Sequence, residues 1–492
     1  MAVASRQLPS FAPSRNLTLS LAAIVAIAGA EALIGLMLPL GGASLAVMVA
    51  VLLVSPAALM LKTEHLVLLA LASLFVSRLL VLGGFPSMVA FAHFPLAIVA
   101  FIKLLQVPAD RSNKHLVTGL FIFLGITVVS AVTTSWEAFR PLLSWVTLVE
   151  PFIFFGLVAA MPVESKRELR RVALYIAIAQ LPLALMQFAT HGVGDDVQGT
   201  LIGQGAGHHI MGAICAASGW VILWANGKRT ASYIALAIAL LFIGVLADAK
   251  QVYGALIAGM LVVGAIQFRH VGPSLIAPAV VMIAVVFVSS HFYAPMARVV
   301  DTNMGEQLFG NKADQIAEVS SAMGLGHTLT GLGAGNGLSR TALSSVPGYG
   351  SVPTLIVGND PAPIADTALA NYDAGNVSSA ASPFSSWLGI YSDLGILGIA
   401  TYFGLAFIVV RQLRTAPEDH RRVSYTLLAF AAVLGYVFTW LEEPAFTVFI
   451  AVLMATGIPE PEPAAAKSPE SPKPAKPRLP VLGRSRYAAR TR

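Results

Sequence analysis

Apolar residues come in runs of about twenty along most of this 492-residue chain, separated by short polar breaks. Runs of that length, continuous rather than alternating, predict membrane-crossing helices and not spanning strands. They fall near 18–38, 44–62, 66–82, 88–106, 116–134, 142–161, 168–189, 208–226, 231–247, 251–267, 273–292, 385–410, 423–441 and 444–458. The sequence therefore predicts an all-α polytopic membrane protein of about fourteen (12–14) spans. The pair flanking Asp248 is also compatible with one broken helix. The long stretch from Ala294 to Pro383 has no membrane-grade run. Residues 1–292 thus form one membrane domain of about eleven helices. Residues 293–384 form a large loop, 385–458 a second membrane portion of about three helices, and 459–492 a tail.

Composition excludes an ordinary soluble globule. The chain is 56% hydrophobic and 11% charged, where soluble domains carry about 25% charged residues. No small-residue cleavage site follows the first run, so it is expected to be retained rather than removed as a signal peptide. Cys215 is the single cysteine and lies in a predicted span, so no intrachain disulfide can form.

Lysine and arginine orient the spans. With the N-terminus in the cytoplasm, 25 of the 31 fall in cytoplasmic segments. Only Arg78, Arg140, Lys250, Arg298, Lys312 and Arg340 remain outside. Cytoplasmic loops retain positive charge, so both termini are expected inside and the long loop outside, in the inner (cytoplasmic) membrane. The net charge of +6 follows from topology and calls for no nucleic acid. The Pro-, Ala-, Lys- and Glu-rich tail lacks apolar periodicity and reads as a disordered basic segment touching anionic lipid.

Polar residues within the spans gather toward the outer side: Glu31 and Arg78, His93, Arg140, His208 and His209, Asp248 and Lys250, Glu442 and Glu443. Each alone reads as a snorkelling or interface residue. Together they predict an outward-facing polar cavity. Lys250 opens a predicted helix, whose N-terminal N–H groups also favour an anion. Arg340 follows Gly331-Leu332-Gly333-Ala334-Gly335-Asn336-Gly337-Leu338-Ser339. Alternate glycines let a backbone approach a ligand closely and present N–H groups to phosphate oxygens. The plainer alternative is a turn feeding the helix that begins near Leu338. Arg298 and Lys312 read as ordinary loop charges. No residues have zinc spacing, no phosphate-loop sequence of an ATP-driven pump occurs, and no serine stands in a nucleophile elbow. A reaction here would therefore use a substrate that carries its own leaving group.

The segment Ser385-Ser386-Trp387-Leu388-Gly389-Ile390-Tyr391-Ser392-Asp393-Leu394-Gly395-Ile396-Leu397-Gly398 resembles the loop-exit helix of the O-antigen ligase and polymerase family. In that family a His-Asn pair is followed by apolar positions and then by an acidic residue with Leu-Gly and Leu-Gly. Many spans, a large late outer loop and its Gly-x-Gly-x-Gly turn are similar as well. The resemblance covers residues 210–445 in organisation and is specific around Gly331–Arg340 and Ser385–Gly398. It implies a GT-C-like membrane glycosyltransferase that takes a glycan from a polyprenyl diphosphate (undecaprenyl-type) carrier at the outer face. The glycan would pass to a glycan or lipid acceptor in cell-surface polysaccharide biosynthesis. The diphosphate leaves, so no cofactor, nucleotide sugar or obligatory metal is implied. Membrane lipids and polysaccharide-assembly proteins are the other expected partners.

In such a family arginines neutralise the departing diphosphate. Lys250 stands where an Arg is usual, and Arg340 is the expected loop cation. Together with Asp393 and Glu442 they form the expected catalytic set. Arg78, Arg140, His209, Gly333 and Gly335 are the expected substrate-binding residues. The family's His, a candidate base for the acceptor hydroxyl, aligns with Phe384, and its Asn aligns with Ser385. Another group must then act as base (Asp393, Glu442, Glu443 or His209), or the chemistry has changed. A lipid-linked oligosaccharide flippase or transporter and a non-catalytic envelope scaffold are the alternatives.

Overall fold

The computed structural model describes residues 58–82, 93–108, 113–134, 140–201, 206–225, 230–266, 319–346, 360–374 and 384–460, with short pieces at 279–280, 283 and 316–317. Among these residues all regular structure is helical. In chain order the helices are α1 (Thr63–Leu82), α2 (His93–Leu105), α3 (Lys114–Thr133), α4 (Arg140–Ala159), α5 (Val163–His191), α6 (Gly207–Ala225), α7 (Ala231–Leu246) and α8 (Lys250–Ile266). After these come α9 (Arg340–Ser344), α10 (Pro363–Ala374), α11 (Ser386–Leu413), α12 (Glu418–Val437), a 3-10 turn at Trp440–Glu442, and α13 (Pro444–Ala455). The predicted span at 18–38, and most of those at 44–62 and 273–292, lie outside the described residues. So does the tail from residue 461. α7 and α8 are two helices, separated at Asp248 by a left-handed backbone (φ 50°).

Two predominantly apolar helices, buried on nearly all sides, form the centre, and the buried Glu150 of α4 pairs with His93 at 3.1 Å. All twelve residues of α13 are buried, and so is nearly every residue of α4. A helix without a polar face is stable only when surrounded by others. α4 packs on α13 and α2, while α6 packs on α7, α8 on α12 and α3 on α11. α3 shows how the outer helices differ. Leu116, Leu120, Phe123, Thr127 and Ser130 form its one buried stripe. Phe121, Ile122, Val128, Val129 and Val132 point outward from it.

Met186 on α5, Ile238 and Phe242 on α7, and Phe403 and Phe407 on α11 are likewise exposed. An apolar surface of this kind suits lipid, whereas in water it would drive association. Four helices, α3, α4, α5 and α11, are long and apolar enough to cross a membrane, and five described helices are apolar but shorter. The apolar helices thus suggest a helical membrane protein.

At the end of α13 the last carbonyls meet cationic or polar side chains. Lys166 Nζ donates to the Ile458 carbonyl at 3.0 Å, and His420 Nε2 lies 2.8 Å from the Met454 carbonyl. Groups of this kind complement a helix C-terminus.

The loop builds a small core of its own. Val319, Met323, Leu338, Ala342, Leu343, Ala362, Ala365 and Leu369 pack with Phe384 and Leu388 at the start of α11. α11 is N-capped by Ser385, whose hydroxyl accepts the Leu388 N–H. The helix breaks at Gly395 (φ 65°, ψ −163°). That break is fully satisfied from outside the helix. The Ile396 and Leu397 N–H groups donate to the Thr328 and Leu329 carbonyls at 3.0 and 3.2 Å. The Ser392 carbonyl receives the Leu332 N–H at 2.8 Å, and the Asp393 carbonyl receives the Ser130 hydroxyl at 2.6 Å. Irregular backbone in a membrane helix is tolerated only when protein supplies the missing partners.

Candidate functional site

The glycine-rich stretch and the Ser392-Asp393-Leu394-Gly395 stretch meet residue by residue. Asp393 Oδ2 accepts the Gly335 N–H at 2.6 Å, and its Oδ1 accepts the Gly337 N–H at 2.8 Å. Ser339 adds its hydroxyl and N–H to the same carboxyl. Ser392 Oγ accepts the Leu338 N–H at 2.8 Å. Only glycine permits so close an approach: a Cβ on Gly331 would overlap the Asp393 carbonyl, and one on Gly337 the Ser392 hydroxyl. Gly331, Gly333 and Gly335 all have positive φ, which L side chains rarely adopt. The N–H groups of Gly335 and Gly337, expected to face a ligand's phosphate, face an internal carboxylate instead. Gly333 lies against Thr134 and the Asn336 amide.

Arg140 supports the loop from below. Buried at the first position of α4, it donates to Asn336 Oδ1 at 2.9 Å and to the Asp360 carbonyl. Its aliphatic stem would lie 3.1 Å from a Cβ on Gly335. This geometry makes Arg140 a brace of the loop.

The docked loop ends at Ser339, whose hydroxyl caps α9 by accepting the Ala342 N–H. Arg340 follows. Its backbone N–H donates to Glu442 Oε2 at 2.7 Å, and its guanidinium pairs with Glu443 Oε2 at 2.5 Å. Both glutamates belong to the sharp turn between α12 and α13, which is tied to α11 by Leu441 N–H donating to Ser386 Oγ at 2.8 Å. Glu442 is fully buried. Burial first, and the neighbouring Asp393 second, hold its carboxyl well above the ordinary glutamate range, although Arg340 pulls the other way.

The His209 ring lies 6.0 Å from that of Trp440 in the same turn and packs at a tilt against His208, with ring centroids 3.8 Å apart. His208 Nε2 is 3.3 Å from Asp195. Lys250 pairs with Asp248 at 2.8 Å and acts electrostatically on both histidines. Arg340 is thus bonded to the turn at residues 440–443, His209 lies near its Trp440, and Lys250 reaches this group only through its effect on His209. The Arg78 side chain, and all of Glu31, Arg298 and Lys312, lie outside the described residues.

Phe384 is 1% exposed and belongs to the loop core, so this position serves packing. Several site residues carried no local signal in the sequence. Ser392, Asn336 and Ser130 are ordinary polar residues until the loop folds onto them. Trp440 stands beside Glu442 and Glu443, but nothing in its local sequence singled it out. Among the described residues no group of three or more His, Cys, Asp or Glu has metal-binding geometry. Comparisons of the chain with protein-family models, with curated proteins and with solved structures return no match.

Proposed function

We propose that this protein is a membrane glycosyltransferase, a polymerase or ligase, that takes a glycan from a polyprenyl diphosphate carrier at the outer face of the cytoplasmic membrane. The chain would have about fourteen spans and both ends in the cytoplasm. One observation carries the proposal: the two stretches that resemble the O-antigen ligase and polymerase family, Gly331–Arg340 and Ser385–Gly398, fold against each other. Their union delivers Arg340 to the turn that holds Glu442 and Glu443.

In this reading Arg340 and Lys250 neutralise the departing diphosphate. Each now has a carboxylate partner, Glu443 and Asp248, whose place the more highly charged diphosphate takes when the donor binds. Incubating the purified protein with a polyprenyl-diphosphate oligosaccharide and an acceptor should release polyprenyl diphosphate as the glycan grows.

A second reading, a flippase for the same lipid, draws on the broken α11 and on the irregular segment after α5. There Gln187 accepts the Gln198 and Gly199 N–H groups, and Gln180 accepts that of Thr200. Discontinuous helices and irregular backbone of this kind line transporter sites. In proteoliposomes, intact donor appearing in the opposite leaflet without transfer would select flipping and overturn the transferase.

A further inference from the structure

Phe384 leaves the reaction without the histidine that could deprotonate the acceptor, and the geometry separates the other candidates. Asp393 has both oxygens occupied by loop N–H groups. Glu443 is committed to the Arg340 guanidinium. His209 faces His208 on one side and lies in reach of Trp440 on the other. His209 Nδ1 also lacks a partner, but Glu442 is the carboxylate left with an oxygen that neither loop N–H groups nor a guanidinium engage. Its Oε2 is fixed by the Arg340 N–H, while its Oε1 is buried without a hydrogen-bond partner.

Residues joined to the same turn carry further buried polar atoms with no partner: Trp440 Nε1 two positions before Glu442, Thr341 Oγ1 one residue beyond Arg340, and His209 Nδ1, whose ring lies 6.0 Å from that of Trp440. Trp440 and Thr341 are each 2% exposed, His209 8% and Glu442 0%. Buried polar atoms normally find partners, so several orphans on residues that meet at one turn point to a polar guest there. An indole N–H donor, a hydroxyl and imidazole that can donate or accept, and a carboxylate acceptor beside an aromatic wall match the hydroxyl groups of a sugar.

We infer that residues 440–442 with Thr341 and His209 form the acceptor-sugar subsite, and that Glu442 is the general base acting there. The inference rests on the transferase reading. In the step, Glu442 Oε1 takes the proton of the acceptor hydroxyl. The acceptor oxygen bonds to the anomeric carbon as that carbon's bond to the diphosphate oxygen breaks, and the electron pair leaves with the diphosphate.

Access follows from Arg340, which is in contact with both glutamates and is about a quarter exposed. When its guanidinium turns from Glu443 to the donor's diphosphate, the diphosphate comes to lie beside the glutamate turn. Besides Arg340 and Glu443, the titratable groups that neighbouring elements bring to this end are Asp393 and Tyr402 of α11, Arg140 of α4, Tyr436 of α12, His208 and His209 of α6, and, acting on the histidines, Lys250 of α8 with its partner Asp248. α13 brings none.

The test uses the full chain in detergent with the polyprenyl-diphosphate oligosaccharide and a sugar acceptor. Glu442→Gln keeps an oxygen for the Arg340 N–H and should lower turnover by about 10²–10⁴-fold, with the donor KM within about twofold of wild type. The wild-type rate should rise with pH along an acid limb, as the base loses its proton, and Glu442→Gln should lack that limb. Glu442→Asp covers the case of a poorly folded amide variant. It retains measurable transfer with a displaced acid limb.

Wild-type turnover and pH profile in Glu442→Gln, or an unmoved limb in Glu442→Asp, would overturn the assignment while leaving transfer itself established. If the wild-type protein moves intact donor and transfers nothing, the transferase reading fails, and the subsite fails with it.

Discussion

Replacing Asp393 separates two roles for that carboxylate: holding the loop and taking a proton. Asp393→Ala strips the acceptor from the buried Gly335 and Gly337 N–H groups. Each unsatisfied buried donor costs about 1–3 kcal/mol, so loop docking should weaken by about 2–6 kcal/mol. At about 1.4 kcal/mol per tenfold change, amide exchange across residues 328–340 should accelerate by roughly 30-fold to 10⁴-fold. Asp393→Asn keeps one acceptor oxygen and should lose about half as much.

Hydrogen exchange followed by mass spectrometry, on protein purified in detergent, reads these changes peptide by peptide. Transfer activity should fall in step with protection, Asn falling less than Ala. Unchanged protection of residues 328–340 in Asp393→Ala would refute the docking argument. Equal inactivity of both variants with an intact loop would instead make Asp393 the base.

Gly395→Ala places a Cβ against the Leu329 carbonyl and forces a left-handed backbone on alanine. The strain alone is about 1–3 kcal/mol, and a lowered melting temperature with faster exchange at residues 328–332 is expected. Phe384→Ala empties the loop core and should cost about 3–5 kcal/mol, read as proteolytic sensitivity of the loop; Phe384→His should not raise transfer above wild type. Glu442 holds its proton to higher pH in the folded protein than in the unfolded chain. Above the ordinary glutamate value of about 4.3 the folded state therefore binds more protons, and stability falls as pH rises. Melting temperatures measured across pH should show that slope, and Glu442→Gln should flatten it.

The helices were legible because hydropathy is a local property. The run at 116–134 is α3, and that at 385–410 is α11. The glycine run and the Asp-Leu-Gly run were also legible, each by itself. Their contact was not, since Gly335 and Asp393 lie 58 positions apart and nothing periodic links them. For the same reason the glycine N–H groups read as a phosphate cradle, when the anion they hold is the chain's own. Arg340 was visible as an outer cation, but its double attachment to Glu442 and Glu443 depends on the turn after α12 closing beneath the loop. Helices α4 and α13 look alike in hydropathy to helices that face lipid. Their central position comes from packing, which the sequence pattern does not encode.

The break in α11 has a consequence for the order in which the protein is made. Ser130, Thr328, Leu329, Leu332, Gly335 and Gly337, which satisfy the broken helix and its aspartate, all precede it in the chain. They leave the ribosome before α11 does, so its first half meets partners already synthesised. Glu442 and Glu443 come only afterwards. A nascent chain halted after α11 would carry a seated loop whose Arg340 has no carboxylate beside it, and the last helical hairpin would complete the site.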